Sequence, residues 1–246
     1  TGRTVSSTGT ANPQIRFGED LMSRVSYLMM NPDGLPALTT TVRGAIEGLI
    51  DKVITDAGAT RDDILDAVFV GNSIMHHLFL GIDPRELGGA PFALAVSGAL
   101  TFPARNIGLG INQGARVYML PCIAGHVGAD AAGATLADGP GDSEEITLLV
   151  DVGTNAEIIL GNKHRILAAS SPTGPAFEGA EISSGQRAAP GAIERVRIDP
   201  ETLEPKIRVI GLEVWSDEEE FAEKTEQFGV TGICGSGIIK VISEMF

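Results

Sequence analysis

The residues best suited to chemistry lie in the segment LLVDVGTNAEIIL, Leu148–Leu160. A strand ends at Asp151, the chain turns, and a second strand follows. Gly153 lets the backbone approach a ligand closely, while Thr154 and Asn155 supply N–H and side-chain donors that suit phosphate oxygens. Asp151 is placed to hold Mg²⁺ through water. The segment predicts a phosphate site; the alternative is an ordinary hairpin, whose turn favours the same residue types.

A second candidate is the glycine-rich segment Thr231–Gly237, TGICGSG. Its glycines, Gly232, Gly235 and Gly237, precede an apolar helix, whose free N–H groups suit an anion or the sugar and base of a nucleotide. The alternative is a turn in which the glycines only permit close packing. Cys234 is interpreted as a small buried residue rather than a nucleophile.

The loop Pro172–Glu181 carries two carboxylates, Glu178 and Glu181. Carboxylates in this position are able to face a bound metal–nucleotide complex and to position a water molecule. The alternative is the solvated start of a helix, and the residues alone leave both interpretations open.

Other metal or cofactor signals are weak. His76 and His77 are adjacent, so a helix directs them to different faces; a joint metal site is not expected, although either ring can line a cleft. Cys122 and His126 have helical spacing, but two ligands do not make a metal site. The glycines of 108–114 are spaced too widely for a dinucleotide loop, and the chain has no GxxxxGK[ST] motif.

Composition restricts the class of protein. The 246 residues are 43% hydrophobic and 20% charged, which is typical of one large globular domain or two small ones. The net charge of −14 argues against nucleic acid and anionic membranes as partners, whereas small anions can still be held by backbone N–H groups. Two cysteines do not make a disulfide framework, and no apolar run of about 18 residues occurs. A reducing, cytoplasmic location is expected.

Hydrophobic periodicity and turn residues predict an α/β chain. The linker 138–142 separates the proposed domains 1–140 and 145–246, and 88–114 is expected to be irregular. Two of the strands, 67–70 and 146–152, are interpreted as buried. The predicted strands are 3–7, 67–70, 117–120, 146–152, 156–160, 165–169, 193–198 and 207–210; the predicted helices are 14–30, 36–57, 74–80, 126–137, 216–227 and the end of 232–246.

A faint internal repeat suggests two similar lobes. The segment RTVSSTG, 3–9, resembles RILAASSPTG, 165–174, with a gap. Gly71-Asn72-Ser73 followed by a helix resembles Cys234–Gly237 followed by a helix. The counterpart of the strand pair that precedes 165–174 is expected to lie before Thr1.

Taken in order, the motifs resemble the C-terminal part of the reductive activators of corrinoid proteins. The resemblance extends over nearly the whole chain. The segments that carry it are NPQIRFGED at 12–20, GNSIMH at 71–76 with Leu78 and Gly81, LPCIAGHVGAD at 120–130, DVGTNAE at 151–157, SPTGPAFEGAEISSG at 171–185 and GICGSG at 232–237.

The resemblance implies a two-lobed actin-like ATPase fold of the acetate-kinase, sugar-kinase, heat-shock-chaperone and actin (ASKHA) superfamily, with a ribonuclease-H-like motif in each lobe. Residues 1–140 would form the first lobe without its first strands, and 145–246 the second lobe, truncated at its C-terminus. The helix 126–137 would connect the lobes. A first phosphate loop is expected before Thr1, so ATPase activity of this chain alone is expected to be crippled.

The resemblance also implies a function: ATP-dependent reductive activation of a corrinoid, cobalamin-dependent methyltransferase system. The cofactors would be ATP and Mg²⁺, with a [2Fe-2S] cluster only in a separate N-terminal domain. The partner would be a corrinoid protein or methyltransferase, and a homodimer is the family-based expectation. The implied catalytic residues are Asp151, also the metal ligand, and Glu178; the implied ATP-binding residues are Gly153, Thr154, Asn155, Glu157, Gly174, Gly232, Gly235, Ser236 and Gly237.

Two alternatives remain on sequence grounds. One is a non-catalytic actin-like module that docks a partner without turning over ATP. The other is a small-molecule kinase of the same superfamily, which needs a carboxylate base beside a specific substrate pocket. No segment identifies such a substrate.

Overall fold

A computed structural model of the chain describes residues 2–153, 155–173, 182–226 and 229–246. The chain divides into two compact units. The first unit comprises Thr1–Leu149 and Ile158–Ala169, and the second comprises Val150–Glu157 and Ser170–Phe246.

Helices of the first unit begin and end where the sequence provides caps. Helix α1 (Leu21–Met30) begins after Asp20, whose side chain accepts a hydrogen bond from the Ser23 N–H at 2.7 Å. Helix α2 (Leu35–Ala57) ends at Gly58, which has a left-handed φ of 63°. The other helices of this unit are α3 (Ser73–Leu80) and α4 (Ala129–Asp138).

The first unit contains a three-stranded sheet of order β1-β3-β2, formed by β1 (Asp66–Phe69), β2 (Leu100–Pro103) and β3 (Arg116–Met119). Strand β1 is parallel to β3, and β2 is antiparallel to it. One sheet face packs with the apolar stripe of α2 into a core. That core contains Phe79, Ala104, Ile107, Leu109, Ile111, Ala115, Val117 and Met119, with Val42, Ile46 and Ile50 of α2 packed against it.

A second sheet has the order β4-β5-β6. Its strands are β4 (Thr147–Val152), β5 (Asn155–Asn162) and β6 (Arg165–Pro172). Gly161 is required where β5 meets β6, because a Cβ there would lie 2.2 Å from the Arg165 carbonyl oxygen.

The second unit is built around a sheet of order β8-β7-β9. Strands β7 (Ala192–Ile198) and β8 (Pro205–Val209) are antiparallel, and β9 (Gly232–Ile233) is parallel to β7. The described residues of this unit also form the helices α5 (Glu220–Thr225) and α6 (Gly235–Met245).

Several sequence expectations are corrected by the structure. No strand forms within the described residues 2–12, where Val5 is exposed and has no sheet to join. The predicted helix 14–30 is divided into a 3₁₀ turn, Pro13–Arg16, and α1, because Asp20 caps a new helix. Helix α4 begins at Ala129 rather than at 126, and α5 is shorter than 216–227. Strand β2 lies inside the stretch expected to be irregular.

The strands interpreted as buried, 67–70 and 146–152, are at most half-buried, and then at alternate residues. Val68 of β1 is 63% exposed and pairs in register with Tyr118 of β3, which is also exposed. Leu148 and Val150 of β4 are exposed as well. A run of apolar residues does not distinguish a strand covered on both faces from one covered on a single face. Within the described part of the chain, no helix has the length and apolar character needed to cross a bilayer.

Replacing glycine is expected to have opposite effects at two positions. Gly161→Ala should lower the free energy of unfolding by about 1–3 kcal/mol, because the new methyl group forces β5 and β6 apart. Gly48→Ala should raise it by about 0.5–1 kcal/mol, because its Cβ meets no atom within 4 Å in the interior of α2. Urea unfolding monitored by circular dichroism measures both, and equal effects would contradict the close β5–β6 approach.

Candidate nucleotide site

The first candidate loop joins β4 to β5. Asp151 is exposed near the end of β4. The Gly153 N–H donates to the Asn155 carbonyl oxygen at 2.9 Å, and the Thr173 hydroxyl donates to the Gly153 carbonyl oxygen at 2.5 Å. The turn is therefore fixed to the end of β6, and the exposed Asp151 carboxylate precedes it.

Glu157 extends this loop toward β6. The Ser170 hydroxyl donates to Glu157 Oε1 at 3.1 Å, and both residues are half-buried. Among the described residues, a Cβ at Gly153 would meet only the Asn155 carbonyl oxygen, at an ordinary 3.5 Å. Packing against those residues does not explain glycine at 153, so close approach of a ligand is a sufficient reason for it.

The second candidate loop passes from β9 to α6. The Ile233 N–H donates to the Ser184 carbonyl oxygen at 2.8 Å. A Cβ at Gly232 would lie 2.7 Å from that same oxygen, and a Cβ at Gly237 would lie 2.3 Å from the Ile193 carbonyl oxygen. For Gly232 and Gly237 the structure supports the packing alternative, because the fold itself leaves no room for a side chain.

The N-terminus of α6 is not capped by a side chain. Cys234 occupies the N-cap position, and its thiol lies 3.2 Å from both the Ile193 carbonyl oxygen and the Ser236 hydroxyl. Cys234 is only 2% exposed, which agrees with its interpretation as a buried residue. The amides of Gly235, Ser236 and Gly237 belong to the first helical turn, where no intrahelical acceptor exists. This helix terminus thus keeps the capacity to bind an anion or a hydroxyl group.

Three of the candidate residues, Thr154, Gly174 and Glu178, lie outside the described residues, as does Glu181. Among the residues that the structure does describe, no group of three or more His, Cys, Asp or Glu side chains is arranged to hold a metal ion. A magnesium ion held through water by one carboxylate needs no such group.

The glycine-rich stretch 108–114 uses its backbone internally. The Gly110 N–H donates to Glu47 Oε1 at 2.7 Å, and the Gly110 carbonyl oxygen accepts from Arg61 at 2.6 Å. Arg61 also forms ion pairs with Glu47 and Asp51 at 2.5 and 2.6 Å. These bonds attach the stretch to α2 and leave it no role as a dinucleotide loop.

His77 of α3 is a structural residue. Its Nδ1 donates to the Ser73 carbonyl oxygen at 2.8 Å, since its Nε2 accepts from the N–H groups of Ala95 and Val96 at 3.2 and 3.4 Å. The ring is neutral in this arrangement. Burial lowers its pKa, while the bond to Ser73 raises it in part.

His76, the other histidine of α3, is a buried polar residue whose burial the sequence did not predict. Its ring is 2% exposed, and neither nitrogen has a hydrogen-bond partner. It lines an apolar hollow of about 100 Å³, with Phe69, Met75 and Phe79 among the other walls. Burial, and secondarily repulsion from His77, lower the His76 pKa to about 4. The expectation that either histidine can line a cleft is therefore fulfilled by His76.

Comparison with known proteins gives the family. The family model described as "RACo middle region" matches residues 1–140, and the model described as "C-terminal domain of RACo the ASKHA domain" matches residues 145–246. The chain belongs to the RACo family. This confirms the resemblance found in the motifs, and with it the actin-like ASKHA ATPase fold.

Relatives of this RACo-family chain are named for corrinoid chemistry. "Corrinoid activation enzyme RamQ" of Eubacterium limosum is 35% identical over 235 residues, which cover 96% of this chain and 36% of the relative. A "[Co(II) methylated amine-specific corrinoid protein] reductase" of Methanosarcina barkeri is 33% identical over 189 residues, covering 70% of this chain and 35% of the relative.

A solved structure agrees with these relatives. The structure named "Reductive activator for corrinoid,iron-sulfur protein" matches with a TM-score of 0.80 and 36% identity, covering 100% of this chain and 37% of that one. This RACo-family chain therefore spans somewhat more than a third of the length of the proteins it matches.

Replacing the two adjacent histidines is expected to change stability by different amounts. His76→Phe should cost little at pH 7.5, because no hydrogen bond is lost. His77→Phe should lower the free energy of unfolding by about 1–3 kcal/mol, because Ser73, Ala95 and Val96 lose their partner. Urea unfolding at pH 7.5 measures both variants.

The lowered pKa of His76 predicts how the stability of the protein depends on pH. Between its ordinary pKa of 6.5 and its folded value of about 4, the unfolded chain binds a proton that the folded chain excludes. Stability is therefore fully present above pH 6.5 and falls toward pH 4, by about 3 kcal/mol for this residue. His76→Phe should remove that part of the slope, and an unchanged slope would show that the ring has a polar partner.

Proposed function

We propose that this chain provides the nucleotide-binding and partner-docking part of an ATP-dependent reductive activator of a corrinoid protein. The observation that carries the proposal is the match of both family domains along the chain, together with relatives named for corrinoid activation. We assign residues 1–140 to the first lobe and 145–246 to the second.

In this proposal ATP is held at the two loops of the second unit. The β4–β5 turn, with Gly153, Thr154 and Asn155, directs donors at the phosphates, and Asp151 holds Mg²⁺ through water. The exposed position of Asp151 and the fixed geometry of Gly153 support this assignment. The free amides at the start of α6 suit the nucleotide's sugar or base. We place Gly174 and Glu178 at the same site on the resemblance alone.

The electron needs a separate source. The chain has two cysteines, Cys122 and Cys234, both buried and unpaired, whereas a cluster bound by cysteines needs four. We propose that a [2Fe-2S] cluster in another domain of the whole activator delivers the electron to Co(II). Unpaired thiols also suit the reducing cytoplasm, where we place the activator.

In this proposal, ATP binding changes which conformation of the activator is most populated. A ligand shifts a conformational equilibrium only by its difference in affinity for the two states. ATP that binds the docked state more tightly than the free state therefore favours docking of the oxidised partner.

The nucleotide assignment predicts a dependence on Asp151. Asp151→Asn should weaken MgATP binding about tenfold or more, because a charged hydrogen-bond acceptor is lost without a change in size. Asp66→Asn, at an exposed carboxylate of β1, is the matched control and should bind as the unmodified chain does. Calorimetric titration with MgATP measures the affinity of the unmodified chain, Asp151→Asn and Asp66→Asn. Failure of all three to bind would contradict the assignment and leave a docking module.

The docking assignment predicts binding without electron transfer. A purified corrinoid protein in the Co(II) state should bind the chain in biolayer interferometry, and MgATP should tighten binding. The Co(II) signal in electron paramagnetic resonance should not decrease, because no cluster is present. Loss of that signal with this chain and ATP alone would contradict the proposal, as would an absence of binding.

A further inference from the structure

A basic hollow lies in the second unit and uses none of the residues of the two loops. It measures about 270 Å³ and is lined by Arg195, Val196, Arg197, Arg208, Trp215 and Lys240. Four of these six residues are cationic, in a chain with a net charge of −14. The hollow is therefore a local region of positive charge on an acidic chain.

The strand register places like charges opposite one another. Arg195 of β7 pairs with Arg208 of β8, and Arg197 pairs with Lys206. Alternate residues of a strand share a face, so Arg195 and Arg197 lie on the same side of β7. Like charges directly opposite each other destabilise antiparallel strands. Lys206 is paired with Asp217 at 2.6 Å and Arg208 with Glu213 at 2.7 Å, so these carboxylates offset part of the repulsion. A bound anion would offset the part that remains at Arg195 and Arg197.

The cations of the hollow are incompletely paired. Arg208 contacts Glu213 Oε2 at 2.7 Å and Glu194 Oε1 at 3.5 Å, but its Nε is buried without a hydrogen-bond partner although the side chain is 17% exposed. Within the ranges that the structure describes, Arg195 and Arg197 form no ion pair. The guanidinium N–H groups of the exposed Arg195 and Arg197 are thus available to a ligand in one place.

Rigid elements hold these donors. The Arg197 guanidinium lies over the Trp215 ring, 4.4 Å from its centroid, and the Trp215 N–H of the backbone donates to Glu218 at 2.8 Å. Lys240 projects from α6, which is joined to β7 by a bond of 3.1 Å from the Ile198 N–H to Glu244 Oε2. Donors held on packed strands and a helix lose little conformational entropy on binding.

We propose that the hollow binds a phosphate group, as pyrophosphate or as the phosphates of a small phosphorylated molecule. Guanidinium groups donate paired hydrogen bonds that match phosphate oxygens. One guanidinium satisfies the two oxygens of a carboxylate, whereas three guanidinium groups and an ammonium match the greater charge and oxygen number of phosphate. Glu194 and Glu213, which pair with Arg208, are not among the lining residues, so they leave the hollow open to an anion.

The test is titration of the chain with sodium pyrophosphate in the absence of nucleotide. Calorimetry measures the affinity, and thermal unfolding measures the stabilisation by the bound ligand. Arg195→Gln and Arg197→Gln should each weaken pyrophosphate binding about tenfold. Arg195→Gln should also raise the unfolding temperature of the ligand-free protein, because the repulsion from Arg208 is removed. A residue with only a structural role would lower it. Arg3→Gln, at an exposed cation near the start of the chain, is the control.

Two results would overturn the proposal. One is an equal increase in unfolding temperature with sodium chloride at matched ionic strength, which would indicate general screening. The other is a pyrophosphate affinity that neither arginine variant changes. A parallel titration with ADP distinguishes the sources: loss of ADP affinity in Arg195→Gln assigns the hollow to nucleotide phosphates, and loss of pyrophosphate affinity alone assigns it to free phosphates. The arginine variants separate the hollow from the loop carrying Asp151, because pyrophosphate bound at that loop would not respond to Arg195→Gln or Arg197→Gln.

Discussion

One carbonyl group, that of Gly71, connects two elements of the first unit, β1 and α4. It accepts hydrogen bonds from the N–H groups of Ala129 and Asp130 at 3.0 and 3.3 Å, and so joins the end of β1 to the start of α4. A Cβ at Gly128 would lie 2.7 Å from the Ser73 backbone nitrogen, so the two turns touch through their backbones. Because unsatisfied helix amides are costly when buried, this contact fixes the position of α4.

The same turn organises the helix that follows it. Asn72 caps α3 by accepting from the Ile74 N–H at 2.9 Å, and the Ser73 hydroxyl donates to the Ala124 carbonyl oxygen at 3.0 Å. The Ser73 carbonyl oxygen accepts a hydrogen bond from His77 Nδ1. Since His77 in turn accepts from two amides of the following loop, the polar network extends from β1 to residues 95–96. His76, on another face of α3, has no such partners, and its burial is correspondingly unfavourable.

The elements that could be predicted from the sequence are those whose signals are local. The stripe of Leu38, Val42, Ile46 and Ile50 predicts α2, and Gly161 with the residues after it predicts the β5–β6 hairpin. Boundaries that depend on capping were less predictable: Asp20 begins a new helix inside a continuous apolar pattern. Exposure of one face of β1 could not be read from the residues, because it depends on what packs against the sheet.

The loops of the candidate site could be predicted from the sequence, but contacts between distant segments could not. Motifs located both loops and the family, since short glycine-rich turns next to strands are visible in the sequence. The sequence did not reveal the buried state of His76 or the convergence of Arg195 and Arg208, because each depends on contacts between distant segments. The register of β7 and β8 brings those two arginines together across a turn of several residues. Periodicity alone does not fix that register.

The glycines of the two loops differ in what they imply about nucleotide binding. Gly232 and Gly237 approach the carbonyl groups of Ser184 and Ile193 so closely that the fold requires them whether or not a ligand binds. Their presence is therefore weak evidence for a ligand. Gly153 meets no such constraint from the residues that the structure describes, and it follows an exposed carboxylate on a turn fixed by Thr173. The functional interpretation consequently depends more on the β4–β5 loop than on the glycine-rich start of α6.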